Sequence, residues 1–156
     1  MRISLFEILR PRLEGASVVD LFAGTGSLGL EALSRGAARA LFYDVDRRSL
    51  EAVEKNLERL GFAGQGRAVY GSAFDAASRL EPADLVFVDP PYDFYVERAA
   101  EMRGLLETLV GRGMAGPESR IISEHRLREG LGEIAGGKIV DQREYGDTVV
   151  TFYARA

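Results

Sequence analysis

Cysteine is absent from the 156 residues, and His125 is the only histidine. These absences exclude disulfides and thiolate-held metal and leave too few imidazoles for a zinc centre, so no metal is expected. No run of roughly 18 apolar residues exists to span a bilayer. Met1-Arg2-Ile3-Ser4-Leu5 lacks the apolar core and small-residue cleavage site of a signal peptide. The expectation is a cytoplasmic protein with no membrane partner. Lysine is scarce: 18 of the 20 basic side chains are arginine, and the net charge is −4. An acidic balance runs against a broad phosphate-neutralising surface. Guanidinium forks nevertheless suit phosphate wherever several of them face one way.

With 46% hydrophobic and 28% charged residues, the chain is long enough for one buried core and too short for two. One domain over residues 1–156 is expected. Ile3, Leu5, Phe6, Ile8 and Leu9 fit one helical face ahead of Pro11, and the β-branched run Val18 to Phe22 reads as a first strand. A helix from Ser27 to Arg35 closes at Gly36, Ala40 to Tyr43 makes a second strand, and Arg47 to Leu60 repeats Leu50, Val53, Leu57 and Leu60 at helical spacing before Gly61. Further strands are expected at Arg67 to Tyr70, Asp84 to Val88 and Arg120 to Glu124, with helices near Ala73 to Arg79 and Val96 to Val110. Alternation of β and α implies a parallel sheet with right-handed crossovers and helices on both faces. Lys138 to Glu144 and Thr148 to Ala154, split by Tyr145-Gly146-Asp147, read instead as a hairpin, which adds one antiparallel strand to the sheet.

Two loops leave apolar strands with unusual chemistry. In the first, Gly24, Gly26 and Gly29 fit G-x-G-x-x-G, where missing side chains let the backbone turn tightly and approach a ligand at a helix N-terminus. Asp44, at the end of the second strand, stands where a carboxylate accepts from ribose hydroxyls. Both features fit a nicotinamide-dinucleotide enzyme as well. Asp20, near the end of the first strand, disfavours a pyrophosphate and suits the cationic sulfonium of S-adenosylmethionine, although a loop carboxylate that only hydrogen-bonds backbone has the same address.

The second loop is Asp89-Pro90-Pro91-Tyr92. Each proline fixes its own φ and pushes the residue before it out of the helical region, so the chain leaves the strand stiff and extended. It presents the Asp89 carboxylate and the Pro90 carbonyl as two acceptors for the two hydrogens of an exocyclic amine, with the Tyr92 ring to stack on a base. The bland alternative is a Pro-Pro turn with Tyr92 as cover. Together the two loops imply methyl transfer to a nucleobase amine.

Asp20 through Gly29, Asp44-Val45-Asp46, Asp89-Pro90-Pro91-Tyr92 and Tyr145-Gly146-Asp147-Thr148 together resemble the bacterial small-subunit ribosomal RNA guanine methyltransferases of the RsmD type. Leu21 to Gly36 is especially similar to that family's first motif, and Asn56 falls in its second helix pattern. The resemblance implies a class I methyltransferase fold: α/β, Rossmann-like and three-layered, with a mostly parallel seven-stranded sheet and an antiparallel C-terminal strand. It implies that Asp20 and the Gly24 and Gly26 backbone hold the methionine part of S-adenosylmethionine, that Asp44 takes the ribose, and that Val45 packs on the adenine. Ser72 and Ala73 match the adenine-edge position. Asp89, Pro90 and Tyr92 would carry catalysis, Asp89 also bordering the cofactor, and the substrate would be 16S ribosomal RNA or the small ribosomal subunit. The chain resembles the family from the helix that follows its basic N-terminal segment, leaving Arg2, Arg10 and Arg12 of that segment's charge.

Two other substrates or roles fit the same residues: adenine in DNA or another RNA, and a cofactor-binding regulatory module without activity. The absence of a target-recognition domain disfavours a sequence-specific DNA enzyme. His125 reads as structural or solvent-facing, Glu124 as a strand-end carboxylate or a pocket residue, and Phe94-Tyr95 as either a flap over the base or packing beneath the loop. Asp93-Phe94-Tyr95 and Arg98 offer further surface for RNA.

Overall fold

A computed structural model describes residues 2–156, with side chains from Leu5 onward, so the readings of Met1 and of the Arg2 and Ile3 side chains lie outside the described residues. In chain order the elements are α1 (Arg2–Leu9), β1 (Ser17–Asp20), α2 (Ser27–Ser34), β2 (Arg39–Asp44), α3 (Arg47–Leu60), β3 (Gly66–Tyr70), α4 (Ala73–Ala76), β4 (Leu85–Val88), α5 (Phe94–Glu97), α6 (Ala99–Arg112), β5 (Arg120–Arg126), β6 (Gly137–Tyr145) and β7 (Thr148–Arg155). The strands form one seven-stranded sheet in the order β3-β2-β1-β4-β5-β7-β6. β1 to β5 run parallel, and β7 inserts antiparallel between β5 and β6. The expected fold class is therefore the observed one, with the antiparallel strand last in sequence and next to last in space.

The central strands are buried on both faces, as parallel strands between helical layers must be. All four residues of β4 are buried: Leu85 and Phe87 join a core with α1, α2 and α3, while Val86 and Val88 join a second core with α4 and α6. α3 begins where Asp46 accepts from the Arg48 amide at 3.1 Å and ends at Gly61, burying Leu50, Val53 and Leu57. Leu60, expected on the same stripe, is 50% exposed, because one further turn rotates it past the edge of the contact with the sheet.

The helix expected from Val96 to Val110 is broken. Arg98 adopts φ −127° and ψ 36° between α5 and α6, and Val96 is exposed. The break lets Arg98 reach back over the Phe74 and Phe94 rings, 4.4 and 4.7 Å from their centroids, while its other edge forks Glu101 at 2.9 and 2.7 Å. The helix expected near Ala73 is one short α-helical turn followed by a 3-10 turn at Ala77–Arg79. Arg10 and Arg12 each face an acid, Glu7 at 2.7 Å and Glu118 at 3.2 Å, so their charge is locally balanced. Among the described residues, no helix is long and apolar enough to cross a membrane, and no cluster of three potential metal ligands occurs.

Candidate active site

Strand order reverses between β1 and β4, and in such sheets ligands bind in the crevice beyond the carboxyl ends of the strands at the reversal. A cleft of about 560 Å³ opens there, a volume within the usual range for a small ligand. Its wall takes residues from the end of every parallel strand: Leu21, Phe22 and Gly24 after β1, Asp44 and Val45 at β2, Gly71, Ser72 and Ala73 after β3, Asp89 to Tyr92 after β4, and Glu124 on β5. Eight of the ten residues singled out in the sequence thus share one cleft. The other two, Asp20 and Gly26, stand behind its wall, Asp20 only 1% exposed.

The glycine loop is built by three different constraints. Gly24 and Gly26 hold φ of +57° and +92°, which side chains disfavour. Gly29 meets β2 so closely that a Cβ would lie 2.7 Å from Phe42 Cζ. Asp44 fastens the loop: Oδ2 accepts from the Gly24 amide and Oδ1 from the Asp46 amide, both at 2.8 Å. Each oxygen keeps a lone pair for a ligand hydroxyl. Asn56, on α3, donates to the Thr25 carbonyl at 3.4 Å from the far side. Val45 is 64% exposed at the cleft mouth. Ser72 lines the cleft and also caps α4, accepting from the Phe74 amide at 3.2 Å, so its hydroxyl retains a proton to donate and one lone pair for a ligand.

The second loop brings an acceptor pair and a ring to the opposite wall. Pro90 is buried and Asp89 half-buried. The Tyr92 hydroxyl lies 3.1 Å from Thr148 Oγ1 and 3.5 Å from Glu124 Oε1, and the Arg126 guanidinium sits 4.8 Å from the ring centroid. This gives the hairpin residue Thr148 a role that its place in the sequence motif did not disclose. The turn ahead of it needs only Gly146 and Asp147 between paired Tyr145 and Thr148, with Gly146 at φ +63°.

Phe22, Phe74 and Phe94 form a triangle with centroids 6.1 to 6.2 Å apart, capped by Arg98. Its members come from the loop after β1, from α4 and from α5, so no spacing in the chain announced it. Phe94 therefore packs rather than standing free, and Tyr95 is buried with its phenol on the Ser123 hydroxyl. Burial pushes the Tyr95 phenol well above its ordinary pKa. The Glu101 carboxylate raises the pKa of Arg98 and keeps it charged at the rim. His125 is buried and structural: Nδ1–H donates to the Arg126 carbonyl at 2.8 Å, and Nε2 accepts from the Thr151 hydroxyl at 3.1 Å. That hydroxyl accepts in turn from Gln142 at 3.0 Å.

The comparisons with known proteins agree with this geometry. A family described as Conserved hypothetical protein 95 matches residues 1–154. The ribosomal RNA small subunit methyltransferase D of Escherichia coli K12 is 35% identical over 161 residues, covering 99% of this chain and 76% of its own. YlbH of Bacillus subtilis 168 is 31% identical over 157 residues, covering 97% and 83%. The solved structure of Escherichia coli yhhF superposes with a TM-score of 0.83 at 33% identity, over 99% of this chain and 83% of that one. On fold, cleft and full-length similarity, this chain belongs to the Conserved hypothetical protein 95 family, the methyltransferase family that includes ribosomal RNA small subunit methyltransferase D.

Proposed function

We propose that this protein transfers the methyl group of S-adenosylmethionine to the exocyclic 2-amino group of a guanine in small-subunit ribosomal RNA, working as one domain in the cytoplasm. The observation that carries the reading is that the Asp44-tied glycine loop and the Asp89-Pro90-Pro91-Tyr92 turn face each other across one cleft. The name of the Escherichia coli relative supplies the RNA.

The residues fit the cofactor. Nothing lies within 4 Å of where a Gly24 side chain would stand, so a ligand has access to that backbone. Asp44 has acceptor capacity for ribose hydroxyls, Val45 and Ala73 offer apolar surface to an adenine, and the buried Asp20 carboxylate favours a cation nearby. Bound there, S-adenosylmethionine supplies an electrophilic methyl group on a sulfonium.

An aromatic amine is a poor nucleophile because its lone pair is delocalised into the ring. Asp89 and the Pro90 carbonyl accept its two hydrogens, which favours a pyramidal nitrogen with the lone pair localised. Tyr92 stacks on the base and is itself pinned by Thr148 and Glu124. Rate acceleration comes chiefly from this positioning and from preorganised acceptors rather than from a strong base. The base must be unpaired or flipped to enter the cleft.

The test is transfer of labelled methyl from S-adenosylmethionine to undermethylated small ribosomal subunits, to bare small-subunit RNA and to duplex DNA, with Asp89→Ala as control. Label in either RNA form, lost in the variant, is the expected result. Label in DNA alone would overturn the RNA acceptor.

A further inference from the structure

Asp89 is not the only carboxylate at the amine clamp. β4 and β5 run parallel with Val88 paired to Ser123, so the next pair in register is Asp89 and Glu124. Neighbouring strands lie about 4.8 Å apart, and laterally paired residues share a sheet face. Both residues line the same cleft. The Tyr92 hydroxyl, 3.5 Å from Glu124 Oε1, ties the stacking ring to that second carboxylate, and Thr148 holds the same hydroxyl at 3.1 Å. A base stacked on Tyr92 with its amine on Asp89 and Pro90 brings one flank of its amino carbon beside Glu124.

The three amine-bearing bases differ at the flanks of that carbon. In adenine and cytosine the one ring nitrogen next to the amino carbon is an unprotonated acceptor, whereas in guanine the amino carbon lies between N3, also an acceptor, and N1, which carries a hydrogen; only guanine can turn a ring N–H toward Glu124. An ionised carboxylate only accepts hydrogen bonds. It pairs with the guanine N1–H and meets the lone pair of the other two with repulsion. We infer that Glu124 is the specificity-determining residue that restricts this amine clamp to guanine, its carboxylate accepting the N1–H beside the 2-amino group. The bond to Tyr92 uses one of several lone pairs on the carboxylate, so anchoring the ring and reading the base are compatible.

This inference rests on the proposed methyl transfer to RNA and is tested with a base that separates the two. 2-Aminopurine keeps the 2-amino group of guanine and presents a lone pair at N1. Small-subunit RNA carrying guanine or 2-aminopurine at the nucleotide labelled by the wild type is compared for wild type and Glu124→Gln, with S-adenosylmethionine binding measured by calorimetry for each. A site built to pair with a donor rejects an analogue lacking it, so the wild type should favour guanine by about tenfold or more in kcat/KM. The side-chain amide introduced by Glu124→Gln offers a donor to N1 as well as an acceptor, so the variant should narrow that preference to less than about threefold while cofactor affinity holds. A wild-type preference that survives unchanged in Glu124→Gln, or a wild type indifferent to the two bases, overturns the role of Glu124 and leaves guanine methylation standing. Wild-type label found in adenosine instead overturns the guanine reading and this inference with it.

Discussion

The third glycine of the cofactor loop gives the sharpest structural prediction, because the same substitution has opposite signs at two helical sites. At Gly29 an added methyl lies 2.7 Å from Cζ of Phe42, against the 3.5–4.0 Å of a comfortable carbon contact. The Phe42 ring is fully buried in the same core as Val53, and Gly26 approaches the same ring edge, so it has little room to turn. Overpacking of this kind costs about 3 kcal/mol at the upper end of its usual range. Replacing glycine by alanine in a helix returns about 1 kcal/mol. The net loss is then about 2 kcal/mol, or roughly 4–8 °C in Tm for a chain of this size. Gly104, exposed in α6 with nothing within 4 Å of a Cβ, should instead gain about 0.5–1 kcal/mol as alanine. Thermal denaturation followed by circular dichroism, on both variants and the parent, reads the difference. Equal shifts for Gly29→Ala and Gly104→Ala would refute the claim that helix–strand contact, rather than backbone freedom, dictates glycine at position 29.

Asp89→Ala should lower kcat by about 10²–10³ while S-adenosylmethionine affinity, measured by calorimetry, changes less than about threefold; equal loss of both would contradict a role at the amine. Asp44→Asn leaves one acceptor oxygen where two amides are now held, so cofactor affinity should fall by about tenfold or more with turnover at saturation less affected. Tyr92→Ala should weaken RNA binding by about 1–3 kcal/mol, the worth of a stacked base, and Tyr92→Phe by less, as read by fluorescence titration with unmethylated RNA. Burial pushes the Tyr153 phenol up to about 12 from an ordinary value near 10. The unfolded chain gives up that proton first, so this stabilisation is full below pH 10 and is lost as pH rises toward 12. Urea titrations across that window should show a shallower fall in Tyr153→Phe than in the parent.

Most of the fold was legible because its signals are local. The apolar stripe and the Gly61 stop placed α3 at Arg47–Leu60, the β-branched run placed β1 with its end two residues too far along, and Tyr145-Gly146-Asp147 marked the hairpin turn. The break at Arg98 was not legible, because apolar spacing continues through it and the rings its guanidinium covers, Phe74 on α4 and Phe94 at the start of α5, are brought together only by the fold. The site divides the same way. Gly24, Asp44 and Asp89 to Tyr92 sit in short motifs whose chemistry is complete within the motif. Arg126, Thr148 and the phenylalanine triangle acquire meaning only from the sheet that gathers them, and Glu124 only from its register with β4.

The central claim is that the clamp after β4 presents the 2-amino group of guanine for methylation. Digestion of small-subunit RNA after transfer of labelled methyl, with the nucleosides separated and identified by mass spectrometry, tests it most directly. The account predicts label in N2-methylguanosine and none in methylated adenosine or at a guanine ring nitrogen, with the label gone in Asp89→Ala. Label in a ring nitrogen, or in N2-methylguanosine at undiminished rate with Asp89→Ala, would contradict it.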